Sequence, residues 1–331
     1  MATVLVTRQI FPEAIALLER SGFSCRHHEQ DTPLSPADLR DALAGARALV
    51  ASLGDRIDGE LLDAGDALEI VANVAAGHDN IDLEAATARG IVVTNTPDVL
   101  TETTADHTFA LLLACARRIP EADRFVRAAR FRGWELFQPL LGADVHGHTL
   151  GVVGMGRIGT AVARRAALGF GMQVLYVARG PREAVEREFG ARRVDLDTLL
   201  AESDFVSLHL PLTPETRGIL TLREFARMKR TAFLVNTARG ALVVEGDLVQ
   251  ALTDGLIQGA GLDVFEDEPR VHPDLAKLEA HVVLAPHLGS ATVETRQRMA
   301  MAAAENVVAA LAGRYPPNAL NPEVWPERRR R

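Results

Sequence analysis

Three polar side chains in this chain stand just beyond three successive apolar runs, and together they suggest proton and hydride chemistry. Arg239 follows a run ending at Asn236, Glu268 lies in an acidic turn after Gly261-Leu-Asp263, and His287 follows a run ending near Ala285. A guanidinium can hold a carboxylate through two parallel charge-assisted hydrogen bonds. From its position alone, Arg239 could equally cap a helix or pair on the surface. A carboxylate beside an imidazole favours the protonated ring and fixes it, which suits a proton donor to a carbonyl that receives hydride. Singly, Glu268 reads as a solvated loop residue and His287 as a strand-end histidine. Arg, Glu and His at three strand ends form a more specific set.

Residues 154–159, Gly-Met-Gly-Arg-Ile-Gly, supply a second kind of chemistry. In a dinucleotide-binding turn Gly154 allows the sharp bend, Gly156 lets the backbone approach a pyrophosphate, and Gly159 lets the next helix pack against the strand. The amides of that helix then face the phosphates. Glycine triplets are common, but this one has an apolar strand before it (149–153) and an amphipathic helix after it (160–168). Met155, Arg157 and Ile158 complete the cofactor-binding turn. About 20 residues further on, an NAD site of this type wants an Asp or Glu for the ribose diol. The chain instead has Val177, Ala178, Arg179, Gly180, Pro181 and Arg182. With no carboxylate to repel a 2′-phosphate and two arginines to meet it, NADP is the preferred cofactor and NAD a possible one. Arg179 stacking on adenine or pointing to water is the competing reading.

The elements that must position these groups are short β-branched runs alternating with helical patterns. The first series has strands near 3–7, 48–51, 68–72 and 91–94, a helix from Pro12, and helices near 36–44, 57–64 and 81–88. Such alternation implies a parallel sheet covered on both faces. A long helix from about 101 to 118 follows. The second series has six strands, near 150–153, 173–177, 205–209, 232–236, 258–263 and 281–285, which matches a doubly wound Rossmann sheet. A helix near 292–311, rich in Ala and Met, is expected to pack back on the first unit. The expected architecture is α/β with two doubly wound parallel-sheet domains: a flavodoxin-like substrate-binding domain (1–99 and 288–331) and a dinucleotide-binding Rossmann domain (100–287).

Composition narrows the function classes. The length of 331 residues and 47% hydrophobic content allow two cores, and the net charge of −8 gives no general attraction to nucleic acid or to an anionic membrane. Two cysteines, Cys25 and Cys115, make a disulfide framework improbable, and Cys115 reads as a buried apolar residue. No stretch reads as a membrane span or a secretory leader, so a cytoplasmic protein is expected. Arg328 to Arg331 read as a solvated, frayed tail. His146 and His148 lack a third ligand at useful spacing, so no metal site is expected. His27, His28 and His78 read as surface or turn residues, and Lys229 and Lys277 sit among charged residues in helix-like surroundings, which makes Schiff-base chemistry a poor candidate.

Several longer motifs occur together: 73–82 (Asn-Val-Ala-Ala-Gly-His-Asp-Asn-Ile-Asp), 96–106, 130–134, the glycine turn, 236–240 (Asn-Thr-Ala-Arg-Gly), 261–269 and 286–290 (Pro-His-Leu-Gly-Ser). In this order they resemble the D-2-hydroxyacid dehydrogenase family over nearly the whole chain, most of all its glyoxylate/hydroxypyruvate reductases. The resemblance implies NAD(P)H-dependent reduction of a small 2-oxo acid to the D-2-hydroxy acid. It implies Arg239 as the carboxylate-binding residue that orients the keto group, His287 as the acid/base and Glu268 as its partner. Ala76 and Gly77 match a loop whose amides hold the substrate carboxylate, and Leu53 a position at a substrate lid. Asp263 matches the residue that meets the nicotinamide carboxamide. Thr104, His209, Leu210, Pro211, Thr216, Thr237, Ala238 and Gly289 match cofactor-lining positions. Residues 117–141, with Trp134 and Phe137, resemble a dimerisation arm, so a homodimer whose domains close over substrate is expected. Two other readings stay open: 3-phosphoglycerate dehydrogenase, although Arg56 is the one arginine in 52–58 and 74–80, and an NAD-sensing corepressor scaffold.

Overall fold

The computed structural model describes residues 2–329, which divide into two compact units. The first comprises residues up to Leu100 and from Ala291 onward, the second Thr101–Ser290. The later crossing falls after Ser290, three residues beyond the expected one. Residues 287–289 stay with the second unit because their N–H groups bond the Asp263 carbonyl and carboxylate at 2.6–2.8 Å.

The first unit has strands β1 (Thr3–Val6), β2 (Ser24–His27), β3 (Ala48–Ala51), β4 (Ile70–Asn73) and β5 (Val92–Thr94). They pair in the parallel order β2-β1-β3-β4-β5, a flavodoxin-like sheet. The strand β2 was not expected, since Ser-Cys-Arg-His has no apolar run; as an edge strand it is largely exposed and needs none. Helices α1 (Pro12–Arg20), α2 (Pro36–Leu43), α3 (Gly59–Ala64) and α4 (Leu83–Ala88) join the strands. Ser35, Asp58 and Asp82 cap the last three by accepting backbone N–H bonds, which explains where those helices begin.

In the second unit, α5 (Thr101–Ala116) and α6 (Ile119–Arg127) precede β6 (Thr149–Val153). Then come α7 (Arg157–Arg164), continued by a π-turn over Arg165–Gly169, β7 (Gln173–Val177), α8 (Glu183–Phe189), β8 (Arg192–Arg193) and α9 (Leu196–Glu202). The chain continues through β9 (Phe205–Leu208), α10 (Leu222–Phe225), β10 (Phe233–Asn236), α11 (Glu245–Thr253), β11 (Gly259–Leu262) and β12 (Val282–Leu284). The parallel order β12-β11-β10-β9-β6-β7-β8 adds one strand to the six expected. That seventh strand, β8, is two exposed arginines on an edge, again without an apolar signal. Along β6, Leu150 and Val152 enter one core layer and Val153 the other, so the sheet is buried on both faces.

The last helix, α12 (Val293–Leu311), belongs to the first unit, as its Ala-rich pattern suggests. Thr292 caps it, and Ala300, Ala303, Ala304 and Val307 pack with Val4, Val6, Ala14 and Leu18. The small side chains allow a close approach to the strands. Arg328 and Arg329 correct the expectation of a frayed tail. Arg328 lies over the Trp325 ring at 3.4 Å, and the Arg329 backbone donates to the Gly90 carbonyl at 3.0 Å. Arg330 and Arg331 lie outside the described residues.

Candidate active site

At the carboxyl end of β6 the glycine turn has the shape its sequence requires. Gly154 has φ +102°, and a Cβ there would stand 2.5 Å from the His209 carbonyl oxygen. A Cβ on Gly159 would strike the Gly154 carbonyl, so the helix can lie this close only with glycine. Gly156 is the N-cap of α7, carries no side-chain cap, and has open space where its Cβ would be. The first-turn amides of α7 therefore lack a capping side chain, and the approach to them is clear. Met155 is buried, Ile158 packs against the core and Arg157 is exposed. The turn fits a dinucleotide pyrophosphate.

The neighbouring strand end carries His209 to Thr216. The His209 backbone N–H donates to the Val153 carbonyl at 2.8 Å, and its ring Nε2 lies 2.8 Å from the Ser207 hydroxyl. Burial pushes the His209 pKa down to about 3, so the ring is neutral. Beyond Leu210, the Thr216 hydroxyl donates to the Pro211 carbonyl at 2.7 Å and folds that loop.

The Arg239 turn is built by Asn236. Its side-chain oxygen accepts from Ala238 N–H at 3.0 Å and its amide donates to the Arg239 carbonyl at 2.8 Å. Arg239 is extended (φ −144°) and one guanidinium nitrogen donates to the Ala238 carbonyl at 2.7 Å. Gly240 sits so close to Phe265 that a Cβ would fall on that residue's carbonyl. Glu245 and Glu266 fasten the same two segments reciprocally, each carboxylate accepting the other's N–H at 2.8 and 3.2 Å. Arg239 and the Glu268 turn are thereby locked together.

Within that turn, Glu268 accepts from Phe265 N–H at 3.0 Å and meets His287 Nδ1 at 2.9 Å. Partial burial pushes the Glu268 pKa up. The His287 hydrogen bond and charge, the Phe265 N–H and the Arg239 charge outweigh burial and hold it below the usual carboxylate range. An ionised carboxylate only accepts, so Nδ1 carries the hydrogen in this pair and Nε2 is left for proton exchange. His287 itself has φ +55°, unusual for a non-glycine residue. It is held there by its N–H bond to the Asp263 carbonyl and by the next two amides on the Asp263 carboxylate.

Asp263 is fully buried. Besides the Leu288 and Gly289 amides it meets His107 Nε2 of α5 at 3.0 Å. His107 was missed by sequence reasoning, because a lone histidine on an apolar helix gives no signal until the helix is laid on β11. Thr104, Thr237 and Gly289 gather at the same place: the Thr108 hydroxyl bonds the Thr104 carbonyl at 2.8 Å and meets the Thr237 hydroxyl at 2.9 Å, and a Cβ on Gly289 would lie 3.4 Å from Thr104 Cγ2.

In the first unit, the loops holding Leu53, Ala76 and Gly77 are laced together by asparagines that sequence reasoning did not single out. Asn95 donates to the Ala76 carbonyl at 2.7 Å, and Asn73 to the Gly77 carbonyl at 2.9 Å and to Asn80 at 3.1 Å. Asn80 in turn donates to the Ser52 and Asp55 carbonyls at 3.1 and 3.0 Å. The buried Asp55 carboxylate accepts from Ser52 N–H at 2.7 Å and from the Thr7 hydroxyl. These hydrogen bonds tie the loops to one another.

Past β7, Ala178 is half-buried and Arg179 and Arg182 are exposed, with no carboxylate at the position of the ribose acid. Elsewhere, His148 Nδ1 lies 3.2 Å from Asp204, and no cluster of three metal-ligating side chains occurs among the described residues. No helix among them is long and apolar enough to cross a membrane. Trp134 and Phe137, after α6, are 79% and 82% exposed, and Phe131, Leu136 and Leu141 are also largely open.

Comparison with known proteins places this geometry among relatives. Residues 109–289 match the family described as D-isomer specific 2-hydroxyacid dehydrogenase, NAD binding domain. The chain is 52% identical over 324 residues to a glyoxylate reductase of Korarchaeum cryptofilum, covering 97% of this chain and 96% of that one. The crystal structure of the TT0316 protein from Thermus thermophilus superimposes with a TM-score of 0.90 at 47% identity, over 96% of this chain and 99% of the other. An NADPH-dependent glyoxylate/hydroxypyruvate reductase from Sinorhizobium meliloti, solved with NADP and malonate, matches with a TM-score of 0.85 at 35% identity, over 100% and 99% of the two chains.

Proposed function

The chain belongs to the D-2-hydroxyacid dehydrogenase family, and from that premise we propose that it reduces glyoxylate, and hydroxypyruvate beside it, with NADPH in preference to NADH. The His287–Glu268 pair next to Arg239 is the observation that carries the reading. NADPH, when bound, would supply a hydride for the carbonyl carbon. The chain's own residues do the rest: Arg239 holds the carboxylate by charge-assisted hydrogen bonds and orients the keto group. His287 Nε2 donates a proton to the carbonyl oxygen as negative charge develops there, and in the reverse direction the neutral ring takes it back. Glu268 keeps the Nδ1 hydrogen and the ring orientation. In the first unit, Leu53, Ala76 and Gly77 are the proposed substrate-binding residues, on loops tied by Asn73 and Asn80.

On the cofactor side, the α7 amides take the pyrophosphate, and Arg179 and Arg182 meet the 2′-phosphate where Ala178 offers no repelling carboxylate. Thr104, His209 to Pro211, Thr216, Thr237, Ala238, Asp263 and Gly289 line the remainder. The first unit is thus the substrate domain and the second the cofactor domain. A homodimer fits the exposed apolar side chains of 119–141, which a monomer would leave in water.

The test is turnover against a panel of 2-oxo acids with each cofactor. The expected result is glyoxylate and hydroxypyruvate turnover with kcat/KM higher for NADPH than for NADH. Preference for a phosphorylated 2-oxo acid would overturn the substrate assignment, and preference for NADH the cofactor assignment.

A further inference from the structure

The loop of residues 178–182 is held by an arginine that no glycine-turn motif includes. Arg193 lies on the edge strand β8, in register with Tyr176 of β7. Its guanidinium reaches past the end of β7, donating from Nε to the Ala178 carbonyl and from Nη2 to the Arg179 carbonyl, each at 3.2 Å. The adjacent Arg192 behaves differently and pairs with Glu202 at 2.5 Å. Among the described residues, Arg179, Arg182 and Arg193 have no carboxylate oxygen within 4.0 Å. In a chain with 44 acidic and 36 basic residues, two such guanidiniums on one short loop and a third reaching it from the edge strand mark a place shaped for an anion.

The two carbonyls matter as much as the charges. Their oxygens are partly negative and would repel a phosphate lying along the loop. Engaged by one guanidinium, they are neutralised and their peptide planes fixed, and the Arg179 side chain leaves the backbone in a set direction. Only arginine can span both carbonyls with a rigid fork; lysine offers a point charge. Resting on the NADP reading above, we infer that Arg193 is a specificity-determining residue for the adenosine 2′-phosphate: it clamps the Ala178 and Arg179 carbonyls and adds its own charge to the cradle.

The inference is tested by calorimetric binding of 2′,5′-ADP and 5′-ADP to the full-length parent, Arg193→Gln and Arg193→Lys. The parent binds 2′,5′-ADP more tightly than 5′-ADP. Arg193→Gln lowers that ratio about tenfold, equivalent to ~1.4 kcal/mol, while its 5′-ADP affinity stays at the parent value. Arg193→Lys restores less than half of the loss, because charge returns without the fork. A parent that does not discriminate the two ligands removes the NADP reading and this inference with it. A discriminating parent whose ratio survives in Arg193→Gln, including through equal losses for both ligands, overturns the inference alone. Full recovery by Arg193→Lys overturns the clamp.

Discussion

The loop around His287 and the loop around Arg179 both leave the carboxyl edge of the seven-stranded sheet, yet they are held by different means. His287 is pinned from several sides: its backbone by the buried Asp263, its ring by Glu268, and the Glu268 turn by Gly240 and the Glu245–Glu266 exchange. The Arg179 loop is exposed and held at its ends, by Arg193 on one side and by the Tyr176 hydroxyl, which accepts Arg182 N–H at 2.7 Å, on the other. Proton transfer needs atoms placed to a fraction of an ångström, and a buried network provides that. Recognition of a phosphate tolerates more freedom, because charge attraction falls off slowly with distance. The difference explains why one loop spends buried polar groups on rigidity and the other spends surface arginines on field.

The largest expected effect removes the proton donor from the rigid loop. His287→Asn should lower reductive kcat/KM by ~10²–10⁴-fold while cofactor binding, followed by fluorescence titration, persists. Near-parent turnover would show that the pinned ring is not the acid.

The second effect strikes the rigidity itself. Gly240→Ala forces backbone against backbone at Phe265, where nothing can rotate away, and should cost ~1–3 kcal/mol in stability together with a fall in kcat. Chemical denaturation at parent-like stability would mean that the contact is softer than its geometry implies.

A third effect is a matter of pH. Reduction needs the protonated ring, so reductive kcat/KM should fall as pH rises. Glu268→Gln replaces the carboxylate acceptor 2.9 Å from Nδ1 with an amide that no longer fixes the ring's hydrogen on that nitrogen, and should lower reductive kcat/KM. The same substitution affects stability on the acid side. The folded-state pKa of Glu268 is depressed, so its contribution is present above the ordinary carboxylate pKa and lost as pH falls through the depressed value. The Tm of the variant should therefore depend less on pH in that acid window. Overlapping rate profiles for parent and variant would break the pairing argument.

The smallest effect belongs to the exposed loop. Tyr176→Phe leaves Arg182 N–H without its acceptor and Glu186 without its donor at 2.6 Å, and should cost ~1–2 kcal/mol in stability. Activity with NADH should change little while KM for NADPH rises a few-fold. Equal changes for both cofactors would mean that the tether serves the fold and not the loop.

The sequence by itself determined the βα order, the glycine turn and the three strand-end residues, because each rests on local rules. Buried parallel strands must be apolar runs, tight turns must use glycine, and parallel strands all point their carboxyl ends to one edge. It could not reveal β2 or β8, whose edge positions demand no apolar pattern, nor the end of the second unit at Ser290, which is set by hydrogen bonds to Asp263. His107, Asn73, Asn80 and Arg193 were equally silent: their partners lie 156 residues away for His107, 4 and 7 for Asn73, 28 and 25 for Asn80, and 15 and 14 for Arg193. A polar side chain shows its purpose only when a particular partner comes within hydrogen-bonding distance. Apolar periodicity is imposed by the solvent on every element alike and can be read along the chain; pairings of single donors with single acceptors are decided by the tertiary packing that brings them together.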